Sequence, residues 1–235
     1  MGLSDRAWRF LLAALTVLSL MVAGAVGIML AATPLGALPA QAVDGLFALS
    51  SPQALWYVTR AAGLMAYFLL WLSTAWGIAV SSKLFDPLQP RAWTYELHQF
   101  LSLLAIGFIV LHVVVLLGDH YLPFSLAEIL VPFAAPYRPL WVGLGVIGLY
   151  LTLLVTITFY IRRWIGARAF RAIHYFSFIA YLMVTVHGWF AGTDSALGTT
   201  QWLYLGSALV IVFLTVYRVV MARAQLSTAT AVGAR

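Results

Sequence analysis

Hydrophobic residues gather into six long runs, at about residues 10–32, 54–80, 97–118, 139–161, 171–191 and 201–222. At a rise of about 1.5 Å per residue, each run is long enough to cross a hydrocarbon core of roughly 30 Å. Proline, glycine and charged residues separate the runs, as they do in turns. The pattern predicts an all-α integral membrane protein: one membrane domain, residues 1–235, built as a bundle of six transmembrane helices.

Three other stretches need an interpretation of their own. Residues 122–134 are apolar but short and interrupted by proline, which predicts an interfacial or re-entrant piece. Residues 224–235 are rich in Ser, Thr and Ala and predict a flexible tail. The first run follows Arg6 and Arg9, as a signal peptide would, but it exceeds the roughly 7–15 apolar residues of a signal sequence. We therefore expect it to be a retained helix.

Composition agrees with a membrane protein and excludes several functions. Hydrophobic residues make up 63% of the chain and charged residues 9%, far from the soluble averages of roughly 45–50% and 25%. The absence of cysteine excludes disulfides, thiolate metal sites and iron–sulfur clusters. The net charge is +6, but no basic stretch is long enough for a nucleic-acid surface, so we expect no nucleic-acid partner.

The basic residues predict the orientation in the cell membrane. If the amino terminus is inside, the inner side carries eleven of the 13 Lys and Arg residues: Arg6, Arg9, Lys83, Arg91, Arg162, Arg163, Arg168, Arg171, Arg218, Arg223 and Arg235. The outer side carries only Arg60 and Arg138. The positive-inside rule then predicts a multi-pass protein with both termini in the cytoplasm. The third and fifth helices run parallel to each other in this topology.

Four of the five histidines fall inside predicted helices. His98 and His112 lie in the third run, and His174 and His187 lie in the fifth. An ionisable side chain in hydrocarbon costs about 2.5–3.5 kcal/mol on insertion scales, which marks each one as a candidate functional residue. The spacings of fourteen and thirteen residues correspond to about 21 and 19.5 Å along a helix. Because the helices are parallel, His98 is level with His174, and His112 is level with His187.

Two imidazoles at each of two depths are the ligands that two six-coordinate b-type haems need. Fourteen residues bring His112 within about 40° of the face of His98, but thirteen residues leave His187 about 140° from that of His174. A kink, local 3₁₀ tightening or a shifted haem position must compensate for this difference of about 140° in rotation.

The four histidines also have other interpretations. Hydrogen bonds to neighbouring helices, without any metal, are one alternative. Copper or zinc is another, although structural zinc normally takes four ligands and each depth offers two. We expect His120, past the third run, to be an ordinary loop residue.

The motifs His98-x13-His112 and His174-x12-His187, on the third and fifth of six helices, resemble the ferric-reductase-like transmembrane domain. That superfamily includes NADPH oxidases, ferric-chelate reductases and the haem-binding membrane subunit of bacterial methionine-sulfoxide reductase systems. The resemblance covers about residues 54–222. It implies the membrane component of an oxidoreductase, with two haem b (iron) groups held between helices three and five. The sulfoxide-reductase subunits often lack one of the four histidines, whereas all four are present here.

The resemblance also implies electron transfer from the cytoplasmic side to an outer acceptor, which would be ferric iron, oxygen or a periplasmic redox enzyme. NADPH oxidases and ferric reductases continue into a flavin- and nicotinamide-binding domain, and we expect none after the last helix. The expected donor is therefore a separate cytoplasmic flavoprotein or a quinol. FAD or quinone would then act through a partner.

Haem propionates are anionic and need basic partners. For the inner haem the sequence offers Arg91 and Arg171, although cytoplasmic anchoring explains both equally well. Arg60 lies near the outer end of the second run, where topology does not require a cation. The resemblance implies an arginine beside the outer haem, so we favour a propionate or acceptor-site role over a snorkelling side chain.

Other side chains between the two depths have two interpretations each. Ser102 and Ala105 follow His98 at one and two turns and are small enough for a flat macrocycle to approach, but small residues are also common where membrane helices pack. Phe108, Phe178 and Tyr181 could line an electron path or simply pack.

Three other functions remain open at this point. A proton or solute transporter could use buried histidines, but it would usually add buried acids, and Glu96 is the only acid near the interior of a predicted helix. A scaffold subunit would need no cofactor. Within redox proteins, a quinol-oxidising cytochrome b is the closest rival.

Overall fold

The computed structural model describes residues 51–87 and 90–233, with side chains through residue 223. This part of the chain is helical and contains no strand. The helices are α1 (Ala54–Ser81), α2 (Arg91–Leu117), α3 (Leu126–Leu130), α4 (Pro139–His174), α5 (Phe176–Ala191) and α6 (Gly198–Gly233), with a 3₁₀ turn at Thr193–Ala196 before α6.

Four of these helices are long and apolar enough to cross a membrane: α1, α2, α4 and α6. Helix α5 is apolar but has 16 residues, which span about 24 Å. The first predicted helix, residues 10–32, lies outside the described residues. The prediction of an all-helical chain with several membrane-crossing helices is therefore confirmed.

Several helix ends differ from the hydropathy boundaries. Helix α1 agrees within one residue, but α2 begins at Arg91 instead of residue 97, directly after Pro90. The polar residues at its start lower hydropathy without breaking the helix. Within residues 122–134 the structure contains α3, which begins with a reciprocal capping box between Ser125 and Glu128. Its five residues are too few to cross a membrane.

The later boundaries differ for a similar reason. Helix α4 begins at Pro139 as predicted, but it continues past residue 161 through a basic stretch to His174. The helical turns between Gly166 and His174 continue through Tyr175, whose φ of −64° and ψ of −20° are helical, into α5 at Phe176, so the helical segment predicted from residue 171 begins a few residues earlier. Helix α6 continues to Gly233, through residues predicted as a flexible tail. No proline or glycine interrupts residues 224–232, so nothing in that sequence stops the helix.

Gly166 bends α4 in the middle of its basic stretch. Its φ of 82° and ψ of 158° lie in a region that is almost exclusive to glycine. This residue separates the apolar part of α4 from the last turns, which carry His174.

We expect Gly166→Ala to lower the melting temperature of the purified protein. No heavy atom lies within 4 Å of a Cβ at this position, so the cost comes from backbone strain, about 1–3 kcal/mol. At about 2–4 °C per kcal/mol for a chain of this size, the shift is measurable by fluorescence during heating in detergent. Gly198→Ala is the control, since its Cβ also meets nothing. Equal melting temperatures for the two variants would contradict the strain.

The helices pack as two antiparallel pairs. Helix α1 lies along α2, and α4 lies along α5, while α1 also contacts α5 and α6. Helix α2 carries His98 and His112, α5 carries His187, and His174 is the last residue of α4. Helices α2 and α5 pack mainly on their own partners and little on each other. The histidine-bearing sides of α2 and α5 therefore face each other without close packing between the two helices.

A buried polar cluster joins α1, α5 and α6. The hydroxyl of Tyr67 lies 3.1 Å from that of Tyr181 and 2.5 Å from that of Ser207, and the Tyr181 hydroxyl donates to Ser207 at 3.2 Å. The ring of Tyr204 packs edge-on against Tyr67 at 4.6 Å. Each interhelical hydrogen bond of this kind contributes about 0.6 kcal/mol in membranes. Tyr181, a candidate for the electron path, thus has a clear packing role.

Candidate functional site

The structure brings together both histidine pairs that the sequence places level with each other. The ring centres of His98 and His174 are 6.1 Å apart, with ring planes at 76°. Those of His112 and His187 are 6.4 Å apart, with planes at 78°. We call these the 98/174 pair and the 112/187 pair. In each pair one ring comes from α2 and the other from the chain that forms the end of α4 and α5.

A local 3₁₀ tightening between α4 and α5 turns His187 part of the way toward the side of His174. Tyr175 separates the two helices, with a ψ of −20° that is typical of 3₁₀ geometry. The amide of Phe178 donates to the carbonyl of Tyr175, three residues back, at 3.1 Å. A 3₁₀ turn rotates the chain further per residue than an α-helix. At about 20° more per residue, one such turn supplies part of the roughly 140° that separates the two histidines on an ideal helix.

Hydrogen bonds fix the orientation of the 112/187 pair. Nδ1 of His112 lies 2.8 Å from the carbonyl oxygen of Thr59, and the Thr59 hydroxyl donates back to the His112 carbonyl at 3.1 Å. Nδ1 of His187 lies 2.9 Å from the carbonyl oxygen of Trp141. A carbonyl only accepts, so each Nδ1 must carry the proton. Each Nε2 therefore keeps a lone pair that can bind a metal.

The 98/174 pair is bonded differently. Nδ1 of His98 lies 3.3 Å from the hydroxyl oxygen of Ser73 on α1. That hydroxyl lies 2.7 Å from Ser102, which donates to the carbonyl of His98 at 2.8 Å. Nδ1 of His174 is buried and has no hydrogen-bond partner in the described part of the chain. Ser102 is thus part of a hydrogen-bonded chain behind His98, whereas the sequence suggested only its small size.

Glycines from neighbouring helices give three of the rings their space. A Cβ on Gly63 would lie 2.9 Å from Nδ1 of His112, and one on Gly77 would lie 3.0 Å from Cε1 of His98. A Cβ on Gly145 would lie 2.6 Å from Nδ1 of His187. These glycines were not among the residues predicted for the site. The signal was present, because Gly63 and Gly77 are fourteen residues apart, the same spacing as His98 and His112.

The ring separations fit one metal ion between each pair. A metal–imidazole bond is about 2.0–2.1 Å long, and the ring centre lies about 1.1 Å behind the nitrogen, so two rings on opposite sides of one ion have centres about 6.3 Å apart. Both measured separations are within 0.2 Å of that value. The described residues contain no group of three or more His, Cys, Asp or Glu side chains that could hold a metal. Within the described residues, each level therefore offers an ion two histidine ligands.

A cavity of about 190 Å³ surrounds the 112/187 pair. A single water needs about 10–15 Å³ on the same measure, so the space admits a much larger group. Its walls come from α1, α2, α4, α5, α6 and the segments around α3 and the 3₁₀ turn, and they are mostly apolar. Arg60, Glu128 and Asp194 supply charge on this wall, and Tyr67 of the polar cluster also lines it.

Arg60 is paired at the wall of this cavity. Its guanidinium makes a two-point ion pair with Asp194, in which Nε donates to Oδ2 at 2.7 Å and the second nitrogen bonds Oδ1. The pair joins α1 to the segment between α5 and α6, and both side chains are partly buried. The guanidinium also lies 5.5 Å from the ring centre of Tyr57. The sequence did not identify Asp194 as the partner, because the two residues are far apart along the chain.

The other predicted residues lie at the opposite level or outside the site. Arg91 pairs with Asp86 at 2.9 Å on the surface, with half of its side chain exposed. Arg171 is exposed one turn before His174. Ala105 is fully buried in α2, midway between the two histidines of that helix. His120 is exposed beyond the end of α2, as expected for a loop residue.

Comparison with known proteins gives a family without a described activity. Residues 54–194 match the model of a domain of unknown function, DUF8596, and the chain belongs to this family. The matched region contains all four paired histidines, the three glycines that face them and the Arg60–Asp194 ion pair. No curated protein and no solved structure matched the chain.

Proposed function

We propose that this member of the DUF8596 family is a transmembrane electron conduit that holds two haem b groups, one in the 98/174 pair and one in the 112/187 pair. The bundle would have six transmembrane helices, with residues 10–32 as the first. The observation that carries the proposal is the geometry of the two pairs: both have the ring separation of two imidazoles on one metal ion. When bound, haem supplies reversible one-electron chemistry.

Three features of the chain support haem over a bare metal ion. The Nδ1 bonds of His98, His112 and His187 leave one metal-binding nitrogen on each ring. Two protein ligands per level suit a haem, whose macrocycle provides the other four. The cavity beside the 112/187 pair, with Gly63 and Gly145 among its lining residues, gives a flat group room at that level.

The charged residues would divide between the two levels. Arg60 would share its guanidinium between Asp194 and a propionate or acceptor at the 112/187 pair. Arg171 would serve the 98/174 pair, since it is exposed and close in sequence to His174. Arg91 is a weaker candidate, because Asp86 already neutralises its charge.

We further propose that both termini face the cytoplasm, so that electrons enter at the 98/174 pair and leave at the 112/187 pair. A flavoprotein or a quinol would be the donor, and ferric iron, oxygen or a periplasmic redox enzyme the acceptor. In a membrane that is negative inside, moving one electron outward is favoured by about 2.3 kcal/mol per 100 mV.

Electron transfer across sealed vesicles tests this function. The haem-loaded protein is placed in liposomes that contain ferricyanide, dithionite is added outside, and loss of ferricyanide absorbance is followed. We expect rapid loss with the wild-type protein and the slow rate of protein-free liposomes with His112→Ala or His174→Ala. Wild-type protein that carries two haems but does not exceed the protein-free rate would contradict a conduit. Rapid loss that requires added quinone would favour a quinol-oxidising cytochrome b.

A further inference from the structure

The two histidine pairs differ in how strongly the protein bonds their Nδ1 atoms. At the 112/187 pair both rings meet backbone carbonyl oxygens, at 2.8 and 2.9 Å. At the 98/174 pair one ring meets a serine hydroxyl at 3.3 Å, and Nδ1 of the other has no partner in the described residues. A hydrogen bond from Nδ1 makes the imidazole a better electron donor to its metal. The 112/187 ligands are therefore the stronger donors.

The hydrogen bonds of Ser73 and Ser102 determine that Nδ1 of His98 is the donor in its bond to Ser73. Each hydroxyl has one proton. Ser102 uses its proton on the carbonyl of His98, at 2.8 Å, so Ser73 must donate to Ser102 at 2.7 Å. The remaining lone pair of Ser73 can then only accept from Nδ1 of His98. The chain holds the His98 ring with Nε2 free, although its last bond is long.

We propose that Ser73 is a positioning residue for His98, and that the weaker bonding of the 98/174 pair gives that site the higher reduction potential of the two. The proposal rests on the proposed function. Weaker ligand donation stabilises oxidised iron less, which raises the potential.

The order of the two reduction potentials affects how electrons cross the membrane. An electron that enters at the 98/174 pair stays there by preference, and its transfer to the 112/187 pair is uphill in the absence of a field. The membrane potential and the outer acceptor would then drive the second step. Such a site acts as a reservoir that empties outward only when the membrane is energised or an acceptor is present.

Redox potentiometry of the purified, haem-loaded protein, followed by visible absorbance, tests the proposal. We expect two waves in the wild type. Ser73→Ala should shift the higher-potential wave further upward and leave the lower one in place, because His98 loses its acceptor. Ser73→Thr, which keeps a hydroxyl, should stay near the wild type. Thr74→Ala is the matched control, since the buried Thr74 hydroxyl bonds only its own helix, at Leu70, and it should move neither wave.

His112→Ala assigns the waves independently of any change at Ser73. The single remaining wave should be the higher one. A remaining wave at the lower potential would overturn the proposal, as would a Ser73→Ala shift confined to the lower wave or absent from both. These outcomes differ from a failure of the proposed function, in which the wild type would carry no haem.

Discussion

Replacing His112 with alanine is expected to leave one haem per chain instead of two. His112 is one of the two histidines at its level in the described residues, so its removal leaves His187 as the single histidine there. The 98/174 pair is predicted to lie about 21 Å away along α2 and shares no ligand with it. The second haem should therefore stay bound. Haem content per chain, from the absorbance of the purified protein against its protein concentration, measures the effect.

His120→Ala is the matched control for this change. His120 is the one histidine outside both pairs, and it is exposed just beyond the same helix. Its replacement should leave two haems. If His112→Ala also keeps two haems, the pairing is wrong. The reciprocal variant His98→Ala should lose the other haem, and the two single-haem proteins should differ in their redox potentials.

Replacing Gly145 with alanine is expected to weaken haem retention at the 112/187 pair by about 10–100-fold, the range for residues that orient a metal ligand. The new Cβ would lie 2.6, 2.8 and 2.9 Å from three atoms of the His187 ring, closer than real contacts allow. The ring cannot move aside freely, because its Nδ1 donates to the carbonyl of Trp141. Either the ring leaves its ligand position or α4 and α5 separate.

Dilution of the purified protein into detergent containing a haem-scavenging globin measures this loss as a rate. Gly206→Ala is the control, since it is another helical glycine whose Cβ meets nothing within 4 Å. Gly63→Ala should have an intermediate effect, because its closest ring contact is 2.9 Å. A Gly145→Ala protein that loses haem no faster than Gly206→Ala would show that the ring position is unimportant for binding.

Much of the architecture followed from hydropathy alone. Residues 54–80 and the start of α4 at Pro139 were placed within one residue, because a single apolar segment in a bilayer can satisfy its backbone hydrogen bonds internally only as a helix. The boundaries that failed all lie in polar sequence. The start of α2 at Arg91, the basic end of α4 and the last turns of α6 are helical for reasons that hydropathy does not measure.

The pairing of the histidines was also accessible from the sequence, because helix rise and topology fix depth. The hydrogen-bond and ion-pair partners around the histidines could not be predicted from the sequence. The bond of Nδ1 of His187 to Trp141 and the pairing of Arg60 with Asp194 join residues far apart in the chain. Only the packing of α4 on α5 and the position of the 3₁₀ turn bring these partners together. The glycine spacing of α1 was a readable signal, but it acquires meaning only beside the matching spacing in α2.

The electron paramagnetic resonance spectrum of the oxidised, purified protein, with spins counted per chain, tests the central claim most directly. Imidazole planes that cross at 76° and 78° leave two iron d orbitals almost equal in energy, so low-spin ferric iron gives a strongly anisotropic signal. We predict two such signals, each with one spin per chain. The absence of low-spin ferric iron from protein made under haem-sufficient conditions would contradict the account, as would signals typical of parallel imidazole planes.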